Sequence, residues 1–381
     1  MIVNRPEQRK KIALVANSTW SVYNFRMDLV HHLLMRFELL VIAPKDEFAE
    51  VLIKTGCNYL DISFNNRSEN PFLDYKLYRS LKRIYETEKP DFIFHYVIKP
   101  NIYGSMAAAR CGIQSISIIT GLGYTFDRNN WLNRIVSTLY RMALKKTKEV
   151  WFLNLEDSQI FLERKLVSSD KVRILPGEGI NTTYFSPQVN KPIARSKAFQ
   201  FLMSTRLLRS KGVGIYIEAA RILKNKYREV RFDLIGFYEK NHRDAISESE
   251  VKLWQKKGII NYGGFAKDVR PFLRKADCFI FPSFYHEGIP RCLLEAAAME
   301  IPIITSLNTG CKEVVYEGAN GFLCNPNDAV DLSKRMEEMM ALTSARRAEM
   351  GKKGRELVSE KFGIDKILPE YDRALNTSIG V

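Results

Sequence analysis

The sequence predicts an α/β protein with two doubly wound domains, each built on a parallel sheet with helices on both faces. Short runs of β-branched and aromatic residues alternate with longer segments whose apolar residues recur at helical spacing. This alternation stops in a polar, proline-containing stretch at 181–198 and then begins again. The length of 381 residues agrees with two domains, because a single core stops growing at roughly 250–300 residues.

Seven strand-like runs lie in the first half of the chain. They are KIALVANS (11–18), ELLVIAP (38–44), NYLDISF (58–64), DFIFHYV (91–97), SISIITG (115–121), EVWFLN (149–154) and VRILPG (172–177). Helix-like segments separate them, at 23–37, 46–55, 72–88, 101–111, 130–147 and 156–168. Strands that are separated by helix-length segments need crossover connections, which predicts parallel pairing.

Six further strand-like runs follow the polar stretch. They are FQFLMSTR (199–206), VRFDLIGF (230–237), GIINYGGF (258–265), DCFIFPS (277–283), IPIITS (301–306) and GFLCNP (321–326), and the tail from 328 is helical. We therefore predict an N-terminal domain at 1–180, a linker at 181–198, a C-terminal domain at 199–363 and a helix at 364–381 that returns to the N-terminal domain. Ligands of doubly wound sheets bind beyond the carboxyl ends of the strands, so we expect the chemistry in a cleft where two such edges face each other.

Charge and cysteine content narrow the function classes. The formal net charge of +15 is spread over both halves without a basic tail or a nucleic-acid motif, which favours anionic membranes or phosphorylated ligands over nucleic acid. The six cysteines form no CxxC pair, which predicts reduced thiols in a cytosolic compartment. The apolar run at 12–16 is too short for a signal-peptide core, and no stretch reaches the roughly 20 apolar residues that span a bilayer.

The segment PSFYHEGIPRCLLEAAAMEIPIITS (282–306) carries the strongest chemical pattern. A predicted strand ends at Ser283, a loop follows with Glu287 and Gly288, and a helix begins near Pro290. Free backbone N–H groups at such a helix start can hold an anion, and carboxylates can accept hydrogen bonds from sugar or ribose hydroxyls. The alternative is that Glu287 and Glu295 are ordinary solvated charges.

Two further segments follow strands of the C-terminal domain. Arg206 and Lys211 come after its first strand, where two cations can stabilise negative charge that develops on a leaving diphosphate. Gly310 and Cys311 are predicted to open a short helix after the strand at 301–306 and to offer further backbone donors. A solvated basic pair and an ordinary tight turn are the respective alternatives.

Together these motifs resemble the retaining glycosyltransferases of family 4, which adopt the GT-B fold. Seven residues separate Glu287 from Glu295, as in that family, and STRLLRSKG (204–212) resembles its Arg-plus-Lys diphosphate motif. NTGCKEVVYEGANGFL (308–323) resembles its Gly-then-Glu segment. ITGLGYTF (119–126) and HYVIKPNIYG (95–104) resemble a bacterial subgroup that builds capsule, O-antigen and lipid-linked oligosaccharide. The resemblance covers essentially the whole chain.

The resemblance implies roles for individual residues. Arg206, Lys211 and Glu287 would be catalytic, with Glu287 on the donor sugar, while Glu295 would bind ribose hydroxyls and backbone at 264–266 would meet the base. The full set of implied nucleotide-sugar-binding residues is Gly264, Phe265, Ala266, Gly288, Glu295, Thr309, Gly310 and Cys311. No metal or other cofactor is expected, because the chain has no Asp-x-Asp and its five histidines form no spaced ligand set.

In the N-terminal domain, NSTWSVYNFR (17–26) and the loop at 120–123 follow predicted strands. The predicted acceptor-binding residues are Ser18, Thr19, Arg26, Lys99, Gly121 and Gly123. The family often carries glycines in the first turn, whereas here no glycine precedes Gly56, so side chains would take over those contacts. His95 is predicted as a fourth catalytic residue that faces the cleft, with a buried, hydrogen-bonded histidine as the alternative.

Basic stripes mark two helical segments of the same domain. Lys76, Arg79 and Arg83 form one stripe; Arg134, Arg141, Lys145 and Lys148 form the other. Such stripes suit docking on an anionic leaflet, although a solvated charged face has the same pattern.

We therefore predict a retaining hexosyltransferase that moves a hexose or N-acetylhexosamine from a UDP-sugar to a polyprenyl-diphosphate-linked glycan. It would be cytoplasmic and peripherally bound to the inner face of the membrane, without a nucleic-acid partner. The alternatives are a nucleotide-sugar epimerase or hydrolase on the same fold and a non-catalytic, two-lobed sugar-binding protein.

Overall fold

The computed structural model describes residues 9–63, 70–122, 131–187, 198–239 and 242–380. The chain divides into two compact units. The first unit is Met1–Gly179 with Ile364–Val381, and the second unit is Ile180–Gly363. Each unit carries its own parallel sheet, so the predicted α/β class with two Rossmann-like domains is confirmed.

The first unit has seven strands among its described residues. They are β1 (Lys11–Val15), β2 (Glu38–Ala43), β3 (Asn58–Asp61), β4 (Phe92–Tyr96), β5 (Gln114–Ile119), β6 (Glu149–Phe152) and β7 (Val172–Ile174), in the order β3-β2-β1-β4-β5-β6-β7. Each lies inside a predicted run except β5, which begins one residue earlier than its run at 115–121. Ile12 to Val15 of β1 are fully buried, as expected for a strand with helices on both faces. The order reverses between β1 and β4, which makes this pair the switch point of the first sheet.

Helices cover this sheet. They are α1 (Thr19–Leu34), α2 (Ala49–Thr55), α3 (Pro71–Glu88), α4 (Ser105–Arg110), α5 (Trp131–Leu144) and α6 (Leu155–Glu163), with a π-helical turn at Pro100–Gly104 before α4 and a 3₁₀ turn at Ser169–Lys171. α3 buries Leu77, Leu81 and Tyr85, the face that its spacing predicts. The predicted helix at 101–111 is thus a π turn followed by a short α-helix.

The second unit has six strands among its described residues. They are β8 (Phe199–Ser204), β9 (Val230–Ile235), β10 (Asn261–Tyr262), β11 (Cys278–Phe281), β12 (Ile303–Ser306) and β13 (Gly321–Cys324), in the order β10-β9-β8-β11-β12-β13. The helices are α7 (Val213–Lys226), α8 (Glu248–Lys256), α9 (Arg270–Leu273), α10 (Arg291–Ala298), α11 (Ala329–Ala341) and α12 (Ser344–Phe362), and a 3₁₀ turn lies at Arg209–Lys211. The order reverses between β8 and β11.

The last helix, α13 (Ile364–Ile379), belongs to the first unit. Its Tyr371 hydroxyl lies 3.0 Å from that of Tyr96, and Arg373 pairs with Glu149 at 2.8 Å. Residues 188–197 of the predicted linker lie outside the described residues, and Ile180 to Pro187 belong to the second unit. Within the described part of the chain, no helix has the length and apolar character needed to cross a bilayer.

Candidate functional site

The loops after β8 and β11 meet at the switch point of the second sheet, where ligands of doubly wound folds bind. From the loop after β8, the Lys211 ammonium donates to both carboxylate oxygens of Glu287, at 2.5 Å to Oε1 and 2.7 Å to Oε2. The Ser283 hydroxyl donates to Oε1 of the same carboxylate at 2.7 Å. Both side chains are largely buried. Their opposite charges therefore interact more strongly than exposed ones would, at the edge of the sheet.

Glycine allows this close approach of the two loops. The 3₁₀ turn that presents Lys211 ends at Gly212, whose φ of 80° is left-handed. A Cβ atom at Gly212 would lie 2.1 Å from the carbonyl oxygen of Pro282. Lys211 therefore reaches Glu287 because the chain turns at a residue without a side chain.

A third loop, after β12, holds the second in place. The Ser306 hydroxyl donates to the backbone carbonyl of Ser283, and the Asn308 amide donates to the carbonyl of Tyr285 at 2.5 Å. Gly310, with φ 77°, passes so close to Gly288 that a Cβ atom would lie 1.6 Å from its carbonyl oxygen. The three loops thus form one tightly packed edge.

The prediction that a helix opens at Gly310 and Cys311 is wrong, because the segment forms hydrogen-bonded turns. The backbone N–H of Cys311 donates to the Asn308 carbonyl at 3.1 Å, and that of Thr309 donates to the Asn308 side chain at 2.9 Å. The sequence predicts Cys311 as a backbone donor to a ligand and Thr309 as a nucleotide-sugar-binding residue. Asn308 engages them within the loop instead.

Arg206 lies in a different contact from Lys211. Its guanidinium pairs with Glu239, which follows β9, at 3.0 Å. Phe265, after β10, is 42% exposed and meets Phe237 edge to face with ring centroids 5.8 Å apart. The Gly264 carbonyl accepts from the Gly236 N–H at 2.9 Å, and Ala266 follows in the same partly exposed loop. These residues line the carboxyl edge of β8, β9 and β10.

Glu295 lies in the first turns of α10. Its carboxylate accepts from Arg291 at 3.3 Å, one helical turn away. Burial raises the pKa of the Glu295 carboxyl above its usual range, while Arg291 opposes that rise. Pro290 precedes the helix as its N-cap residue, one position earlier than the predicted first turn.

The described residues of the first unit hold most of their predicted site residues in internal contacts. Ser18 caps α1 by accepting from the Ser21 N–H at 3.1 Å, and the Thr19 hydroxyl donates to Asp46. Arg26 is 4% exposed, pairs with Glu178 and stacks on the Tyr96 ring. We therefore interpret Arg26 as part of the interior, which corrects its assignment to acceptor binding.

Lys99 and His95, near the end of β4, are also engaged inside the unit. Lys99 pairs with Asp74 at 2.6 Å. His95 is fully buried, with Nε2 3.0 Å from the Tyr85 hydroxyl and Nδ1 3.2 Å from the Ser105 hydroxyl. Burial lowers the pKa of His95 to about 3. The buried, hydrogen-bonded alternative describes this histidine, and the predicted orientation toward a cleft is wrong.

Two predicted acceptor-binding glycines follow β5 in the sequence. Gly121 is partly exposed with φ 133°, and Gly123 lies outside the described residues.

Sequence reasoning missed Ser283, Glu239 and Asn308 as partners of the site. Ser283 had a usable signal, since it is a polar residue at the end of the predicted strand 277–283. All six cysteines are free thiols, and the described residues contain no group of three or more His, Cys, Asp or Glu arranged for a metal.

Two family models match the chain. The model described as "Glycosyl transferases group 1" matches residues 186–357, and the one described as "Glycosyl transferase 4-like" matches residues 11–154. The chain is 28% identical to an N,N'-diacetylbacillosaminyl-diphospho-undecaprenol α-1,3-N-acetylgalactosaminyltransferase of Campylobacter jejuni, over 87% of this chain and 89% of that protein. It is 27% identical to a UDP-Gal:α-D-GlcNAc-diphosphoundecaprenol α-1,3-galactosyltransferase of Escherichia coli, over 77% and 80% of the two chains.

Solved structures resemble the whole fold. A glycosyltransferase from Rickettsia africae superposes with a TM-score of 0.79 at 19% identity, covering 97% of this chain and 99% of the other. HepE of Anabaena, in complex with UDP and glucose, superposes with a TM-score of 0.80 at 16% identity, covering 97% and 100%. The two sheets, their switch points and the two family matches agree: in both of its units the chain is similar to glycosyltransferases of the group 1 and 4-like families.

Proposed function

We propose that this protein is a retaining glycosyltransferase that moves a hexose or N-acetylhexosamine from a UDP-sugar to a polyprenyl-diphosphate-linked saccharide in surface glycan synthesis. The observation that carries the proposal is the buried Lys211–Glu287 pair at the switch point of the second sheet. Two relatives are named for transfer to undecaprenyl-diphosphate-linked sugars, one of them from UDP-galactose. HepE of Anabaena was solved with UDP and glucose.

In this proposal the cations of the second unit stabilise the leaving group. Negative charge grows on the UDP diphosphate as the sugar departs, and fixed cations stabilise that state more than the ground state. Lys211 and Arg206 supply this charge, so the reaction needs no metal ion. Each cation has a carboxylate partner before the donor arrives, Glu287 and Glu239 respectively.

The carboxylates bind hydroxyl groups. Glu287 accepts from the donor sugar and Glu295 accepts from the ribose, since an ionised carboxylate has several acceptor sites and no donor. In the retaining reaction the acceptor attacks on the face from which the diphosphate leaves, and a departing phosphate oxygen helps to take the acceptor proton. The protein contributes positioning and charge stabilisation.

The protein would work at the inner face of an anionic membrane, where a polyprenyl-linked acceptor resides. α3 supports this part of the proposal: Phe72 and Tyr75 in its first turn are 82% and 60% exposed. Lys76, Arg79 and Arg83 continue the same exposed face. Aromatic rings suit the headgroup region, and each basic side chain contributes about 1 kcal/mol near an anionic leaflet.

Vesicle sedimentation tests the membrane contact. We expect the protein to sediment with vesicles that contain phosphatidylglycerol and to stay in solution with phosphatidylcholine alone. The variant Lys76→Gln/Arg79→Gln/Arg83→Gln should lose most of this binding. Exposed Lys252 in the second unit offers the control Lys252→Gln, and equal binding by all three proteins would contradict α3 as the contact.

Nucleotide binding tests the donor site. A thermal-shift panel of UDP, GDP, ADP, CDP and dTDP should single out UDP, and Glu295→Ala should weaken the response. Glu338→Ala, which removes an exposed carboxylate of the same unit, is the matched control.

Transfer of labelled sugar to a polyprenyl-diphosphate acceptor then tests the reaction. Free sugar or an epimerised UDP-sugar would favour the hydrolase or epimerase, and binding without turnover would favour a sugar-binding protein.

A further inference from the structure

We infer that Ser283 is a positioning residue for sugar transfer, which fixes the Glu287 carboxylate and, through it, the Lys211 ammonium. The inference rests on the proposed function, because it assigns a task to a residue beside the proposed donor site. Ser283 itself does not touch the donor in this account. Its effect on the reaction passes through Glu287.

The contacts around Glu287 set out this role. Oε1 accepts from the Ser283 hydroxyl at 2.7 Å and from Lys211 at 2.5 Å, while Oε2 accepts from Lys211 at 2.7 Å. Ser283 is fully buried, and Glu287 is 8% exposed. A carboxylate bound by one flexible lysine alone can rotate with it, whereas a hydroxyl on the short serine side chain fixes one oxygen. Hydrogen bonds to an ionised acceptor are stronger than neutral ones.

The Ser283 backbone is itself fixed by the neighbouring loops. Its carbonyl accepts from the Ser306 hydroxyl and from the Asn308 amide, the latter at 3.3 Å. The next residue, Phe284, donates its N–H to the carbonyl of Ser210 at 3.0 Å. Ser283 therefore lies where the loops after β8, β11 and β12 meet, and its hydroxyl passes their rigidity to the carboxylate.

Lys211 is held from a second side. Its ammonium lies 4.6 Å from the centroid of the Tyr285 ring, a cation–π distance. With Glu287 on one side and Tyr285 on the other, the ammonium has a defined position before any diphosphate arrives. Preorganised charge of this kind needs no reorientation during the reaction. The position of Lys211 thus depends on the carboxylate that Ser283 fixes.

Neighbouring hydroxyls provide a contrast. Thr305 donates to the carbonyl of Phe281 at 2.6 Å, and Ser306 donates to the carbonyl of Ser283. Both are fully buried and link neutral backbone groups. The Ser283 hydroxyl is equally buried but donates to a charged group that contacts the proposed catalytic lysine. Because Ser306 holds the Ser283 backbone itself, Thr305→Val, which removes the other buried hydroxyl and keeps its volume, is the control for Ser283→Ala.

A double-mutant cycle on kcat tests the inference. We expect Ser283→Ala to lower kcat for transfer about tenfold in the wild-type background, as one charge-assisted hydrogen bond is lost. In the Glu287→Gln background the same change should lower kcat less than twofold, because the carboxylate is already gone. Thr305→Val should change kcat by the same factor in both backgrounds, because its hydroxyl bonds only the Phe281 carbonyl among these groups. Equal factors for Ser283→Ala in the two backgrounds would overturn the inference.

A second variant guards against misfolding. Ser283→Cys keeps nearly the same volume but donates weakly, so it should lose kcat as Ser283→Ala does while unfolding at the wild-type temperature. Full kcat in Ser283→Cys would also overturn the role. The proposed function is read separately, from transfer by the wild type and by Thr305→Val. If neither transfers sugar from any UDP-sugar, the proposed function fails and this inference falls with it.

Discussion

The two sheets have the same doubly wound design, yet charged residues at their switch points are engaged differently. At the second switch point, Lys211 and Glu287 from the loops after β8 and β11 pair with each other at the strand ends. At the first, between β1 and β4, Arg26 pairs with Glu178 and Lys99 pairs with Asp74. At the first switch point, the charged side chains stabilise the interior of their own unit. At the second, they lie where a ligand of this fold binds.

Glycine explains part of this difference. Gly212 and Gly310 let the backbone of three loops approach within distances that a Cβ atom would prevent. The turn after β1 has no glycine, and its residues Ser18 and Thr19 cap a helix and bind Asp46 instead. A topological switch point therefore supplies a location, and the loop residues decide whether charge is presented there or used for internal support.

The largest expected effect separates the two lysines. Lys211→Ala should lower kcat/KM for transfer by about 10²–10³-fold, the usual cost of removing one preorganised charge donor. Lys99→Ala should lower it less than threefold per folded molecule, because its partner Asp74 lies within the first unit. Steady-state kinetics and circular dichroism check both variants. A comparable loss in the two would break the comparison between the switch points.

For the free energy of unfolding, the buried Arg26 of the first unit should matter more than an exposed arginine. Arg26→Met leaves Glu178 without its buried cation, and we expect a loss of about 3 kcal/mol in the free energy of unfolding. Arg36→Met removes a 42% exposed side chain that shares Asp372 with His32, and it should cost less than about 1 kcal/mol. Urea unfolding measures both values. Equal costs would show that burial of the Arg26 pair does not govern its contribution.

A pH series tests the interior role of His95. Its pKa is lowered from 6.5 to about 3 in the folded unit, so the unfolded chain binds the proton first as the pH falls. Stability from this group is complete above pH 6.5 and is lost as the pH falls toward 3. Between pH 6.5 and 5 we expect a loss of about 2 kcal/mol from His95. Urea unfolding of wild type and His95→Gln should differ in slope over this window, and parallel curves would contradict a buried neutral imidazole.

The smallest expected effect concerns nucleotide affinity at low pH. The pKa of Glu295 is raised by burial, with Arg291 and Asp268 as the charges that act on it. Since only the ionised carboxylate accepts from two ribose hydroxyls, UDP affinity should fall as the pH drops through this raised pKa. The decline should begin above the ordinary value of 4.5. Glu295→Gln should lack that component, and identical pH profiles would remove Glu295 from ribose binding.

The sequence predicted the strands well and the contacts of individual side chains less well. Each described strand lies within a predicted run, apart from the first residue of β5, because strands covered on both faces are continuously apolar. Every position of such a strand is buried, so its sequence shows no alternation of apolar and polar residues. The burial of His95 therefore could not be predicted from the pattern. The contact between Ser283 and Glu287 depends on local loop geometry. The approach of Lys211 depends on β8 and β11 being neighbours, which the crossover order decides.

A local turn and a distant ion pair account for the remaining differences. The sequence predicts a helix that begins at Gly310, but a glycine after a strand equally suits a tight turn. Asn308 binds the local N–H groups. Glu239 had no sequence signal as the partner of Arg206, because the two residues are 33 positions apart. Pairings of this kind become visible only when the strand order is known.

Hydrogen exchange of the full chain with and without UDP tests the central claim most directly, namely that the donor binds at the switch point of the second sheet. We expect UDP to slow exchange at 204–212, 282–290 and 306–311, with no comparable change at 16–19 or 97–101. Lys211→Ala should weaken the protection in all three loops. Protection confined to the first unit, or UDP binding that leaves the three loops unprotected, would contradict the account.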